Sequence, residues 1–313
     1  MSGPVTDADA PAAAAVDHDT AEDGLEILDS REAKVGNLQV RRALPRRTHR
    51  TVGAWCFADH AGPVSVDAAQ RVDIGPHPHM GLQTVTWLVA GELVHRDSLG
   101  SEQEIRPGQL NLMTAGQGVA HAEETAGGYE GLFHGIQLWV AQPDETRHGD
   151  PAFEHHAELP QLELDGATAT VFVGDLGAAV SPARRDTQHV GAELAVRGGR
   201  ATLPVRRDYE HALIVLDGKV SVDGRMLEPG HLGYLGLDRD EVVIGSADPA
   251  TVILLGGVPF PEPIFMWWNF VGRSQNEMDA AYAGWQEADN RFGAVHSELA
   301  RVPAPRPQWS RQP

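Results

Sequence analysis

Apolar residues along this chain come in short runs, each closed by Gly, Pro or Asp. The clearest runs are Thr84–Val89, Leu110–Met113, Ile136–Val140, Leu213–Leu216 and Thr251–Leu255. They are rich in β-branched and aromatic residues and too short for helices, so each predicts a strand. Many short strands without amphipathic helices between them point to an all-β sandwich or barrel architecture. The polar, proline-bracketed stretch Ala141–Pro151 reads as a linker between two such units. One helix is expected near the C-terminus. Ser274 and Glu277 have capping-box spacing, and Met278, Ala281, Tyr282, Trp285 and Ala288 recur on one helical face. That stripe reads as core packing. From Arg301 onward the Pro- and Arg-rich sequence reads as a loose tail.

Composition sharpens the picture. The chain has 313 residues, 42% hydrophobic and 22% charged, a globular balance sufficient for two cores. Lys and Arg number 25 against 44 Asp and Glu, a formal charge of −19. So acidic a surface repels phosphate backbones and anionic lipid, which excludes direct nucleic-acid binding as an expectation. No apolar segment is long enough to span a bilayer. The first 24 residues hold Asp7, Asp9, Asp17, Asp19, Glu22 and Asp23 and no Lys or Arg, which predicts a disordered acidic tail rather than a signal peptide. With Cys56 as the sole cysteine, no intrachain disulfide can form and a cytoplasmic setting is expected. Cys56 lies between Trp55 and Phe57 and reads as a packed thiol.

The chain repeats itself. WLVAGELV, ending at Val94, resembles IVLDGKVSV, ending at Val222, and IRPGQLNLM from Ile105 resembles LEPGHLGYL from Leu227. In each copy the Pro-Gly pair supplies a fixed φ followed by a residue free to turn. Two similar β-barrels, about 125 residues apart, follow from the repeat. Their chemistry differs. PHPHMGLQTV precedes the first copy and TAGQGVAHAEE follows it, bringing His77, His79, His121, Glu123 and Glu124. The second copy is preceded by His211 alone and followed by GLDRDEVVIG, which has no histidine. One site per chain is expected, in the first half.

Residues two apart on a strand share a face, so His77 and His79 can point into one barrel interior, and His121 and Glu123 likewise. Three neutral imidazoles and a carboxylate suit a divalent first-row metal and leave open positions on an octahedral ion. Iron(II) is the leading expectation, with manganese, cobalt, nickel, copper and zinc as alternatives. His155 and His156, being adjacent, point to opposite faces and read as surface residues. His95, Arg96 and Asp97 read as a polar turn or barrel rim with a possible supporting role. No GxSxG, P-loop, Rossmann fingerprint or CxxC pair is present.

PHPHMGLQTVTWLVAGE with HRDSLG, RPGQLNLMTAGQGVAHAEE and EPIFMWWNFVGRS resemble the bacterial branch of the pirin family, within the cupin superfamily, over roughly Ala33 to Val295. The resemblance implies a bicupin of two stacked antiparallel barrels with iron in the N-terminal one, its HPH and HAE motifs falling on His77, His79, His121 and Glu123. The expected organisation is an acidic tail (1–24), a metal-binding barrel (25–145), a barrel without metal (146–273), and a helix with a loose end (274–313). Several pirins act as quercetin 2,3-dioxygenases, which implies a flavonol or small aromatic substrate and O2, with Glu123 as a possible base as well as a ligand. The alternative is an iron-dependent interaction protein with a protein partner, a transcriptional or metabolic co-regulator switched by iron oxidation. Family members are often monomeric, so a monomer is expected. Two departures stand out: Gln83 replaces a frequent Glu near the site, and Met80 replaces an Arg seen in some members.

Overall fold

The computed structural model describes residues 24–310; the acidic segment expected to be disordered lies, apart from Gly24, outside them. All sheet pairing between the named strands is antiparallel, and two similar halves recur along the chain. In the first half a seven-stranded sheet runs in the order Ala152–His156, Leu110–Thr114, Leu82–Ala90, Gly131–Ala141, Trp55–Val66, Leu38–Leu44, Arg31–Val35. A four-stranded sheet, Ile74–His79, Val119–Thr125, Leu93–Asp97, Glu102–Ile105, accompanies it. The second half repeats both. Its large sheet is ordered Glu26–Asp29, His231–Gly236, Glu210–Asp217, Ala250–Gly257, His189–Val196, Ala167–Val173, Gln161–Leu164, and its small sheet Gly199–Pro204, Glu241–Ser246, Val220–Val222, Arg225–Leu227. The five strand-like runs read from the sequence all lie within strands.

Each large sheet takes its outermost strand from the other half of the chain. Ala152–His156 follows the linker yet pairs with Leu110–Thr114, and Glu26–Asp29 precedes the first half yet pairs with His231–Gly236. The two halves therefore hold one another by main-chain hydrogen bonds as well as by packing.

Strand alternation shows where the cores lie. Val252 and Leu254 face the interior of the second half, whereas Ile253 and Leu255 join Trp87, Ile136, Leu138 and Ile214 in a core drawn from both halves. The large sheets are thus buried on both faces, and their strands read as nearly continuous apolar runs. Trp55 Nε1 donates to the Val190 carbonyl (3.0 Å) and Trp87 Nε1 to Glu193 Oε2 (2.7 Å), so the large aromatics at this seam are polar-satisfied.

The helix, α1, spans Gln275–Gln286 with Ser274 as N-cap, its hydroxyl accepting from the Glu277 N–H at 3.4 Å. The Glu277 carboxylate turns back on Ser274, accepting from its hydroxyl at 3.3 Å, and pairs with Arg147 at 2.6 Å. Met278, Ala281 and Trp285 are buried as their spacing predicts, and Tyr282 is half-buried. Ala288 is not part of the stripe: it lies past the helix end, exposed, with φ of +52°.

Residues 301–310 are not loose. Val302 donates its N–H to the Pro76 carbonyl (2.8 Å) and accepts from Trp285 Nε1 (2.9 Å), and Trp309 Nε1 donates to Asp279 (2.8 Å). The Arg301 guanidinium lies over the Trp285 ring at 3.3 Å. Proline-rich extended chain with few intervening apolar residues reads as a tail, but its isolated Val, Ala and Trp side chains dock singly onto α1. Among the described residues no helix is long and apolar enough to cross a membrane.

Candidate metal centre

His77 and His79 occupy the end of strand Ile74–His79, and His121 the middle of Val119–Thr125. Antiparallel register sets His121 opposite His77 and Val119 opposite His79. Period-two alternation then turns all three imidazoles to one side, and their ligand atoms lie within 4.8 Å of one another, fully buried. The strand carrying His77 and His79 is fixed from outside, because the Pro76 carbonyl accepts from Val302 in the C-terminal segment. Gly81, at φ +70°, makes the turn after it, and a Cβ there would lie 2.1 Å from the Val271 carbonyl oxygen.

Hydrogen bonds fix the tautomers. His77 Nδ1 lies 2.9 Å from the Gly75 carbonyl and His79 Nδ1 3.2 Å from the Asn269 carbonyl. Carbonyls only accept, so each Nδ1 carries the proton and each Nε2 is a bare lone pair. His121 is set by a relay: its Nδ1 meets His95 Nδ1 at 3.3 Å, and His95 Nε2 meets Asp97 Oδ2 at 3.1 Å. Asp97 also accepts the N–H groups of Leu99 and Ser101, both at 2.9 Å; against its burial, the hydrogen bond from His95 first and that from Ser101 next hold the carboxylate below its ordinary range. The chain of donors leaves His121 Nε2 bare as well.

The outcome is a cluster of lone pairs. His79 Nε2 and His121 Nε2 stand 3.1 Å apart, and His77 Nε2 is buried with no hydrogen-bond partner among the described residues. Protonation does not relieve this cheaply. Burial drives the His77 pKa down to about 4 and those of His79 and His121 well below the usual value, with the neighbouring imidazoles adding to the depression of the last two. Neutral imidazoles with converging Nε2 atoms are the donor set that a divalent metal requires.

Glu123 is on the same strand as His121, with a register shift between them, and is buried. The Thr86 hydroxyl lies 3.1 Å from its Oε1 and the same distance from Gln137 Oε1. Its charge reaches His77, opposing the burial that lowers that imidazole. The carboxylate is not among the atoms that close to within 4.8 Å; the tight set is the three histidines.

Gln83 is not brought to the cluster. It is buried, and its amide donates to Thr114 Oγ1 at 2.9 Å. By alternation it shares a face with Val85 and Trp87, which pack in the core between the halves, while Thr86 faces Glu123. Met80 is buried, and the Arg291 guanidinium reaches its sulfur at 2.6 Å, so a cation stands beside this position although the side chain carries none. His155 and His156 are half-buried rather than on the surface, bonded to Asn111 (2.8 Å) and Glu154 (3.0 Å). Cys56 is fully buried, and burial pushes its thiol up to about 12, as expected of a packed residue.

The pair that the sequence undersold is His95 and Asp97. They lie in strand Leu93–Asp97, not in a turn, opposite Glu123 and His121 respectively. His95 stacks on Phe153 at 4.3 Å, a residue of the strand supplied across the linker. Arg96 points the other way, to Glu102 and Glu124 (both 3.1 Å). The His-x-Asp spacing carried the period-two signal, but the following Ser-Leu-Gly disguised it as a turn.

Two antiparallel halves with a buried histidine cluster in the first and, among the described residues, none in the second define a two-barrel cupin. The sequence matches the Pirin family over residues 37–140 and the Pirin C-terminal cupin domain over residues 193–293. The chain belongs to the pirin family. It is 39% identical over 287 residues to a pirin-like protein of Caulobacter vibrioides, covering 88% of this chain and 98% of that one. Its structure resembles the crystal structure of a quercetin 2,3-dioxygenase from Acinetobacter baumannii, with TM-score 0.87 and 41% identity over 90% of this chain and 95% of that one. It shares the fold of the Escherichia coli pirin YhhW, solved in complex with nickel(II), with TM-score 0.61 and 17% identity over 75% of this chain and 99% of that one.

Proposed function

We propose that this chain is a metal-dependent dioxygenase that opens quercetin or a related flavonol with O2. His77, His79, His121 and Glu123 would hold a single ion, iron(II) as the first choice. The observation that carries the reading is the convergence of three buried imidazoles, with His79 and His121 Nε2 3.1 Å apart and His77 Nε2 without a hydrogen-bond partner among the described residues. The 41% identity to an Acinetobacter protein solved as a quercetin 2,3-dioxygenase supports the reaction class.

When bound, the ion supplies Lewis acidity that stabilises the oxyanion of the flavonol 3-hydroxyl. The chain does the rest. Glu123, held by Thr86, is the buried carboxylate placed to receive the hydroxyl proton. Asp97 and His95 keep His121 in one tautomer and orientation. Trp139, buried and stacked on Phe57 at 4.0 Å, packs edge-on against His79 at 5.3 Å and keeps the surroundings of that imidazole apolar. Gln83, on the opposite sheet face, takes no part.

The test is His121→Ala, assayed for bound metal and for flavonol loss. Both should vanish together while the fold remains; turnover that survives metal loss overturns the reading.

A further inference from the structure

The second barrel shows what this fold requires when it carries no histidine cluster. None is present there among the described residues, and strands Gly199–Pro204 and Glu241–Ser246 put Ala201, Leu203, Val242 and Ile244 into an apolar core. The two large sheets differ as sharply. On the first, one row of cross-strand partners runs Arg42–Asp59–Gln137–Thr86–Asn111–His155 over six strands. On the second, a row runs Val171–Ala192–Leu254–Leu213–Gly233–Ile27. The two rows correspond. The repeat that aligns Gly91 with Gly218 sets Thr86 on Leu213, and the one that aligns Pro107 with Pro229 sets Asn111 on Gly233.

One row is polar throughout and the other apolar throughout. In the polar row every residue but the half-buried His155 is buried. Burying such groups is costly, and a buried ion pair is often no more stabilising than apolar residues in its place. The fold closes with carbon at these positions in the second half, so the polar row of the first serves something other than closure. By alternation it looks into the first barrel, between Val40, Ala61 and Leu88 on one side and Phe57, Trp139 and Met113 on the other. Across that interior lies the metal centre. At the middle of the row the Thr86 hydroxyl is 3.1 Å from Glu123 Oε1 and 3.1 Å from Gln137 Oε1. A hydroxyl has one proton to give, and an ionised carboxylate is the stronger acceptor. Gln137 is the other polar group that holds this hydroxyl in place. Asp59, its cross-strand partner, is clamped in turn by two 2.7 Å bonds from Arg42.

We propose that Gln137 and Thr86 are positioning residues for Glu123, holding its carboxylate through the Thr86 hydroxyl in one orientation at the metal centre. Neither touches the imidazoles; both act through the carboxylate. The inference rests on the reading of Glu123 as a ligand of the bound ion.

Cobalt(II) is the probe, titrated into the full-length protein against a chelator, with its absorption spectrum recorded in parallel; no turnover is needed. Gln137→Leu installs the residue found in the second barrel, and Thr86→Val keeps the shape of Thr86 without its hydroxyl. Each should weaken cobalt(II) binding by about three- to tenfold, the worth of one hydrogen bond, and shift the absorption bands. Thr86→Ser, which keeps the hydroxyl, should bind as the parent does. Glu123→Ala should bind more weakly than the parent. In that background Gln137→Leu and Thr86→Val should cause no further loss, because the group they position is gone. Parental affinity in Gln137→Leu and Thr86→Val beside a weakened Glu123→Ala overturns the proposal alone. An undiminished further loss in the Glu123→Ala background also overturns it, since the two residues would then act on the barrel and not on the carboxylate. Parental affinity in Glu123→Ala overturns it together with the reading of Glu123 as a ligand.

Discussion

Replacing His95 by Phe separates packing from hydrogen bonding at the metal centre. The ring of His95 stacks on Phe153 with centroids 4.3 Å apart and planes 12° from parallel, a contact that Phe preserves. What Phe removes is the acceptor 3.3 Å from His121 Nδ1 and the donor 3.1 Å from Asp97 Oδ2. Asp97 keeps the N–H groups of Leu99 and Ser101, so the carboxylate is not abandoned. His121 loses the partner that selects its tautomer and orients its ring. Removing such an outer partner costs about 10–100-fold in metal affinity, or about 1.4–2.7 kcal/mol of binding free energy. A chelator-competition titration with cobalt(II) measures this directly, and a thermal melt of the metal-free protein measures the packing. The expected result is weaker metal binding with a nearly unchanged melt. Parental affinity in His95→Phe refutes the relay, and a collapsed melt refutes the separation of the two effects.

Three further outcomes follow from the buried charges and turns. Burial depresses His60 to about 3 and His77, His189 and His211 to about 4, against an ordinary value of 6.5. Between pH 6.5 and about 4 the unfolded chain therefore binds more protons than the folded one, so stability is complete above this window and declines as pH falls through it; a melting temperature of the metal-free protein that stays flat from pH 7 to 4.5 contradicts this. Asp59→Ala removes the buried carboxylate that takes two 2.7 Å bonds from the Arg42 guanidinium, and urea unfolding should show a loss of about 3–5 kcal/mol, as for breaking one side of a buried ion pair; a loss under 1 kcal/mol contradicts it. Gly81→Ala forces a Cβ to 2.1 Å from the Val271 carbonyl at φ +70°, so roughly 1–3 kcal/mol of strain should appear together with weaker metal binding through His79; parental stability and affinity contradict it.

The parts of this molecule that the sequence displays are those written at short range. Period-two spacing places His77 with His79, and the Pro-Gly repeat reveals two like halves of which only one bears the cluster. Long-range pairing leaves fainter traces. Strands Glu26–Asp29 and Ala152–His156 are short and only half-buried, so nothing local says that each crosses to the other half. Gln83 sits six residues from His77 and looks like a neighbour, yet it lies on the sheet's other face with Val85 and Trp87. His95 and Asp97 were visible as an alternating pair, but a turn-forming sequence immediately after them masked the strand. The Pro-rich end defeats periodicity altogether, because its contacts through Val302 and Trp309 come one residue at a time.

The most direct measurement is oxygen consumption on quercetin by protein loaded anaerobically with iron(II), set beside the same protein stripped of metal. Uptake that requires the iron and matches flavonol loss mole for mole, with carbon monoxide released, is the predicted result. Protein that holds one iron per chain yet consumes no oxygen with the flavonol contradicts the account.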